Sequence, residues 1–475
     1  MSASYISTDR DKTLAFLSGP CLSIVLASLG TSIAAVTLPE LPGSFRDHGF
    51  NPALVVSAYI LATTALIVPV GRAGDFFGKR VVLVVCLCLY TLGALLAFQA
   101  PTLPTLITSR FVQGMGAAGM MAMPLALVRD FVPSGQVGRW MGAMGTMSAI
   151  GTASGPALGG AVVAAFSWRA VYLLQIPLAL VALALCLLFI QNLRHTNEHK
   201  EFDLPGASVL AISLAALTFL VSDLVDGFDL AIAILAVAAG GAFLAFLWIE
   251  KRSRSPIIPL GLLRSAHLRI SLAMNAIVSL VMMGILVVGP FFLLDGLELT
   301  TTQMGLAMSV GPIASALSGI PAGRLTEGIG ADRAVLVGAS AIVFATALMA
   351  GLPYILGLAG FVLAFVMLSP SYQIFLAALN TSVMTQASEQ DRGVTSGILN
   401  LSRNFGFILG AGAVSDLFWS LARVGGNAGD TSVQISAAMA GTFAICSILS
   451  LGVVALAVLL HRHQNSIPRI ENGHS

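Results

Sequence analysis

Uncharged apolar runs of about 20 residues, the length a helix needs to cross a bilayer, recur from one end of this chain to the other. They fall near 14–38, 53–73, 81–99, 103–128, 138–165, 170–192, 205–223, 229–249, 268–294, 302–322, 333–352, 355–387, 393–422 and 434–460. Backbone groups in lipid must be satisfied within their own segment, so each run is expected to be a helix. The alternating ten-residue pattern of a transmembrane barrel does not occur. Only 10% of the 475 residues are charged, against roughly 25% in a soluble domain. The stretch from Ala334 to Ser388 is too long for one helix, and Gly351 with Pro353 is its expected break. The expected class is an all-α integral membrane protein with fourteen transmembrane helices.

Basic residues set the orientation. With these spans, 19 of the 24 Lys and Arg lie on the side of the chain termini. Arg46, Arg169 and Arg423 lie opposite, while Arg110 and Arg403 fall inside spans. Positive loops stay inside the cell, so both termini are expected in the cytoplasm and the protein in a plasma membrane, the inner membrane of a bacterium. The first apolar run extends well past the core of a signal peptide and is read as a retained span.

A net charge of +2 gives no reason to expect a nucleic-acid partner. Cys21, Cys86, Cys88, Cys186 and Cys446 all sit in apolar spans without a metal-binding spacing, which reads as buried helical cysteine. All seven histidines are read in loops or tails. No HExxH pattern or paired intramembrane carboxylates appear, so neither an enzyme nor a metal is expected.

A charged hairpin, GRAGDFFGKR from Gly71 to Arg80, joins the second and third runs. A second copy, GRLTEGIG from Gly323 to Gly330, stands at the matching place near the other end. A motif repeated once implies two related halves with a substrate site between them. The expected division is a cytoplasmic N-terminus over 1–13, a six-helix bundle over 14–192, a linker carrying two inserted helices over 193–267, a second six-helix bundle over 268–460 and a cytoplasmic tail over 461–475. Gly74 and Gly78 permit a tight turn and close backbone approach, and Asp75 stands at the membrane edge beside Lys79 and Arg80.

The pattern resembles the major facilitator superfamily, specifically its fourteen-span drug:proton antiporters, over nearly the whole chain. Gly71, Asp75, Gly78, Lys79 and Arg80 match the family's hairpin motif, with Ala73 where leucine is usual. The resemblance implies a relay among Asp75, Lys79 and Asp130, and a latch of Asp75 against the helix that starts near Gly393. Arg110, Gln113 and Gly114 match the family's Arg-x-x-Gln-Gly motif, and Gly151, Gly155, Pro156, Gly159 and Gly160 match the motif it associates with antiport. Arg392, Gly393, Ser396, Gly397, Asn400, Leu401, Arg403 and Gly406 match a further run. Intramembrane arginine is costly and generally faces a bundle interior or a wet cavity, so Arg110, Gln113, Asn400 and Arg403 are expected at a central cavity. Tyr59, Asn275, Tyr372, Gln373 and Asn380 are further polar candidates for it.

The family commonly has aspartate where Gly30 stands and asparagine where Ala35 stands. No other carboxylate sits at mid-membrane, which leaves Asp75 and Asp130 as the expected titrating groups. The expected function is proton-driven export of drug-like or secondary-metabolite compounds, small and amphipathic, by alternating access of a monomer, with no cofactor beyond the proton gradient. An importer or uncoupled facilitator of a metabolite, and a non-transporting membrane sensor, are the alternatives.

Overall fold

In a computed structural model the protein is described over residues 10–45, 52–132, 134–190, 261–387, 392–424 and 431–465, with isolated positions between 209 and 252. The two inserted helices expected at 205–223 and 229–249 lie largely outside the described residues. Ten described helices are long and apolar enough to span a membrane.

The first half comprises α1 (Arg10–Ile33), continued by a 3₁₀ turn (Ala34–Glu40), a short α2 (Leu41–Ser44), α3 (Leu54–Phe77), α4 (Lys79–Phe98), α5 (Leu103–Phe131), α6 (Ser134–Ala165) and α7 (Ala170–Phe189). The second half comprises α8 (Ala266–Phe291), α9 (Thr301–Ile329), α10 (Ala331–Gln386), α11 (Arg392–Leu409), α12 (Ser415–Val424) and α13 (Thr431–Asn465). In the first bundle α1 packs on α6 and α7, and α5 on α3 and α4; in the second α8 packs on α11 and α13, and α10 on α9 and α13.

The repeated motif is the clearest sign of duplication in the backbone. GRAGDFF and GRLTEGI are both helical, so each turn is made by one residue. Gly78 has φ 92° and ψ 135°, and Gly330 has φ 87° and ψ 148°. Each closes the preceding helix through its N–H, to Gly74 O and Thr326 O respectively, both at 3.1 Å. Each then accepts from the residue four ahead, Val82 or Ala334. A side chain disfavours such a φ, which explains why glycine recurs there.

Helix contacts inside each half also match. A Cβ on Gly151 or Gly155 of α6 would collide with Val25 or Ser32 of α1. A Cβ on Gly406 or Gly410 would collide with Ala276 or Leu280 of α8. Two glycines four apart form one smooth strip along a helix, and small residues there let backbones approach within the membrane.

Three expectations need correction. α10 breaks at Gly357, whose φ of 55° and ψ of −129° are non-helical, and not at Gly351 and Pro353. Proline's fixed φ is compatible with a helix, whereas the backbone reversal needs a residue without a Cβ. The two spans are therefore 331–356 and 358–386. His267 is not in a loop: it lies in the first turn of α8 and is buried. His461 likewise belongs to α13. Among the cysteines Cys88 is exposed on its helix surface, while Cys86, Cys186 and Cys446 are buried.

Two π-helical turns, Phe292–Gly296 after α8 and Gly410–Val414 between α11 and α12, lie in the second half. Beside them Phe291 meets Trp419 edge to face with ring centroids 5.2 Å apart.

Candidate functional site

The two intramembrane arginines occupy opposite chemical situations. Arg110 of α5 is fully buried at 0% exposure, and all three of its nitrogens are spent. Nε donates to Val55 O at 3.2 Å, Nη2 donates to Gly30 O at 2.6 Å, and Nη1 donates to Gln113 Oε1. Arg110 and Gln113 lie three apart and so share a helix face. Gln113 Nε2 passes the chain on to Gln175 Oε1 at 2.9 Å, and Tyr90 OH lies 2.5 Å from the same oxygen. The Tyr59 ring covers the guanidinium, 4.2 Å from Cζ to centroid, and Tyr59 OH donates to Ala27 O at 2.7 Å. The Tyr172 ring centroid lies 5.8 Å from the same Cζ.

This network ties α1, α3, α4, α5 and α7 together. Each hydrogen bond to a charged group contributes about 1.5–3 kcal/mol, which offsets the ~2.5–3.5 kcal/mol that insertion scales give for a mid-membrane arginine. Arg110 and Gln113, expected on the cavity wall, are thus enclosed inside the first bundle. Gln175 and Tyr90 are partners the motif alone does not reveal, although Gln175 is a polar residue in a helix otherwise made mostly of apolar side chains.

Gly30 is part of the enclosure. A Cβ there would stand 2.8 Å from both Tyr59 Oη and Tyr90 Oη. Two phenol hydroxyls border the space that a side chain at this position would enter. Ala35, in the 3₁₀ turn, is likewise buried.

Arg403 of α11 borders a cavity of about 250 Å³ with Asn275 of α8, Leu376, Asn380 and Met384 of α10, and Leu399 and Asn400 of α11. Asn400 and Arg403 lie three apart on one face, as Arg110 and Gln113 do. Asn275 Nδ2 donates to Leu399 O at 2.8 Å, while its Oδ1 is buried with no hydrogen-bond partner. Arg403 Nε is likewise buried without one. Of the other polar candidates Tyr59 belongs to the Arg110 network, and Tyr372 and Gln373 are half-buried on α10 outside the cavity wall.

The two bundles meet along α6 and α9. A Cβ on Gly160 would stand 2.7 Å from Gly305 Cα, and one on Gly305 would stand 2.7 Å from Pro156 O. Thr301 Oγ1 and Glu40 Oε1 lie 3.5 Å apart at the same end, away from the Gly78 and Gly330 turns. Toward the turns, a Cβ on Gly145 of α6, or on Gly319 or Gly323 of α9, would meet nothing within 4 Å among the described residues. The antiport-motif glycines therefore serve two surfaces. Gly151, Gly155 and Gly159 lie on α1, and Gly160 lies on the other bundle.

At the hairpin, Lys79 is buried and its Nζ lies 5.9 Å from the Phe131 ring centroid. Arg80 instead caps α7, donating through Nη2 to Leu187 O at 2.7 Å. Gly71 has open space where a side chain would go. The side chains of Asp75 and Asp130 lie outside the described residues. The hairpin end of the second bundle holds a polar chain that the sequence does not suggest. Ser382 Oγ donates to Asp332 Oδ1 at 2.7 Å, which leaves His267 Nε2 to donate to Ser382 Oγ at 3.1 Å.

Two helical bundles related by a repeated hairpin and in close contact at Gly160 and Gly305 are the architecture of a membrane transporter. The chain belongs to the Major Facilitator Superfamily, whose sequence profile matches residues 21–411. It is 25% identical over 448 residues to the riboflavin transporter RibZ of Clostridioides difficile, covering 94% of this chain and 97% of that protein. It is 28% identical over 405 residues to the multidrug resistance protein Stp of Mycobacterium tuberculosis, covering 82% and 73%. The crystal structure of a point mutant of the nucleoside transporter NupG superposes with a TM-score of 0.66 over 94% of this chain and 99% of that one, at 12% identity. That superposition speaks to the fold.

Proposed function

We propose that this transporter exports small amphipathic compounds from a bacterial cytoplasm across the plasma membrane in exchange for protons, as a monomer and without a cofactor. The observation that carries alternating access is the close approach of Gly160 to Gly305 at one end with open space around Gly145, Gly319 and Gly323 toward the other. Rocking about that contact exposes a site between the bundles first to one side and then to the other. The name of Stp, a multidrug resistance protein, supports export of drug-like compounds. The proton gradient supplies direction, since a ligand with equal affinity for both states shifts neither.

Coupling is assigned to Asp75 and Asp130, because Gly30 offers no carboxylate and Arg110 is occupied by Gly30 O, Val55 O and Gln113. Everted vesicles acidified inside test the reading: the wild type is expected to accumulate substrate and to lose it on adding a protonophore. Asp75→Asn is expected to insert normally but not to accumulate it. Accumulation without a gradient would overturn coupling and favour a second reading, transport of a small metabolite, which the riboflavin transporter relative over 94% of the chain supports.

A further inference from the structure

Two arginines lie within the spans, and among the described residues only one has a hydrogen-bond acceptor for every nitrogen. Every nitrogen of Arg110 has an acceptor, whereas Arg403 has a buried Nε without a partner. Among the described residues no carboxylate reaches the Arg403 guanidinium within ion-pair distance. A cation left unpaired at membrane depth is expensive and marks a functional position by default. Among the described residues the cavity beside it is lined by no acidic side chain: its polar wall is Asn275, Asn380 and Asn400, and its apolar wall is Leu376, Met384 and Leu399. Asn275 Oδ1 is a second buried polar atom there without a partner, and buried unpaired groups are otherwise uncommon in folded proteins.

We infer that this cavity receives the anionic headgroup, a carboxylate, of the transported compound, with Arg403 as its counter-charge and the three carboxamides as neutral hydrogen-bonding wall. The guanidinium fork matches a carboxylate in two parallel hydrogen bonds. Carboxamides supply donors without adding charge. An ammonium group would face an uncompensated like charge in the same wall. A volume of about 250 Å³ is below the ~300–1,000 Å³ of pockets that enclose a whole drug-sized ligand. It therefore holds the headgroup and a small apolar body, and any longer tail lies outside it. The inference rests on the transporter reading above and names its substrate class.

The test uses the full chain in phosphatidylcholine nanodiscs, with 2-naphthoate, 2-naphthamide and 2-naphthyltrimethylammonium as probes. Equilibrium dialysis gives the affinities, with binding to empty discs subtracted. The wild type is expected to hold the carboxylate at least about tenfold more tightly than the amide, and the ammonium more weakly than either. Arg403→Gln is expected to bring carboxylate and amide to equal affinity, and Arg403→Lys to keep part of the preference. Asn380→Leu, on the exposed rim of the cavity, is expected to weaken the carboxylate and the amide together. This variant keeps the test open if Arg403→Gln does not fold. Equal binding of carboxylate and amide by the wild type would overturn the inference. So would a preference that survives Arg403→Gln, or affinities unmoved by Asn380→Leu. Loss of naphthoate binding on adding phosphatidylglycerol, not recovered at higher naphthoate, would assign the anion to lipid and overturn the substrate reading. Binding without a gradient is blind to direction and coupling, so failure of proton-driven export leaves this result standing and the reverse also holds.

Discussion

Arg110 Nη2 donates to the carbonyl oxygen of Gly30 at 2.6 Å. By resemblance a carboxylate is usual at that position of the first span, and here a backbone oxygen faces the guanidinium instead. A carbonyl does not titrate, so the contact is the same at every pH at which the protein folds. The first bundle thus keeps its arginine as a structural centre, while the second keeps Arg403 beside a cavity.

Arg110→Lys is expected to destabilise the protein as strongly as Arg110→Leu. One ammonium cannot serve Val55 O, Gly30 O and Gln113 together, because they lie on separate turns of three helices. Each buried acceptor left unsatisfied costs about 1–3 kcal/mol. Thermal unfolding of the detergent-solubilised protein, followed by size-exclusion fluorescence, reads the loss; a midpoint like the wild type for Arg110→Lys would show that charge alone suffices.

Gly155→Val and Gly160→Val are expected to fail differently. The first drives a side chain into Ser32 and Ile33 of its own bundle, and the second into Gly305 of the other. Gly155→Val should lower the unfolding midpoint. Gly160→Val should leave the midpoint near that of the wild type and wedge the bundles apart. In a cysteine-free background, cross-linking of Glu40→Cys to Thr301→Cys, whose native side chains lie 3.5 Å apart, should then drop several-fold.

Gly78→Ala and Gly330→Ala should each cost about 1–3 kcal/mol through backbone strain, since their φ values are 92° and 87°. Gly323→Ala, from the same motif but helical and with free space around it, should be neutral or stabilising by up to about 1 kcal/mol. Equal midpoints for all three variants would mean that the turns relax without penalty.

Ser382→Ala removes the hydroxyl that links His267 and Asp332, and with it both of these hydrogen bonds. The expected cost is about 1–3 kcal/mol, read as a lower unfolding midpoint. Ser382→Thr, which keeps the hydroxyl, should recover most of it.

The halves are legible in the sequence because apolar run length and the hairpin copy are local properties of the chain. Gly78 and Gly330 read as turn residues for the same reason. The break in α10 is not legible, because Gly351 and Gly357 look alike in sequence; only the packing decides which one leaves the helix, and Gly360 lies so near Leu352 that no side chain would fit there. The face shared by Asn400 and Arg403 follows from their spacing, but the arrival of Asn275 and Asn380 from two other helices depends on rotations that no local pattern records. Likewise the Arg110 motif is visible, whereas Gln175, far along the chain, enters through the packing of α7 on α4. His267 reads as a loop residue because α8 begins at Ala266, a little earlier than its uncharged run.

The π-helical turn at Gly410–Val414 behaves as one surplus residue absorbed into a helix. At 3.6 residues per turn, one residue more or less swings everything beyond it by about 100°. The Gly406 and Gly410 strip precedes or begins that turn, while Phe418 and Trp419 follow it. Deleting a single residue there would preserve the glycine seam and aim Trp419 away from Phe291. The chain's tolerance to changes of length is therefore low at a place where its composition, Gly-Ala-Gly-Ala-Val, looks permissive.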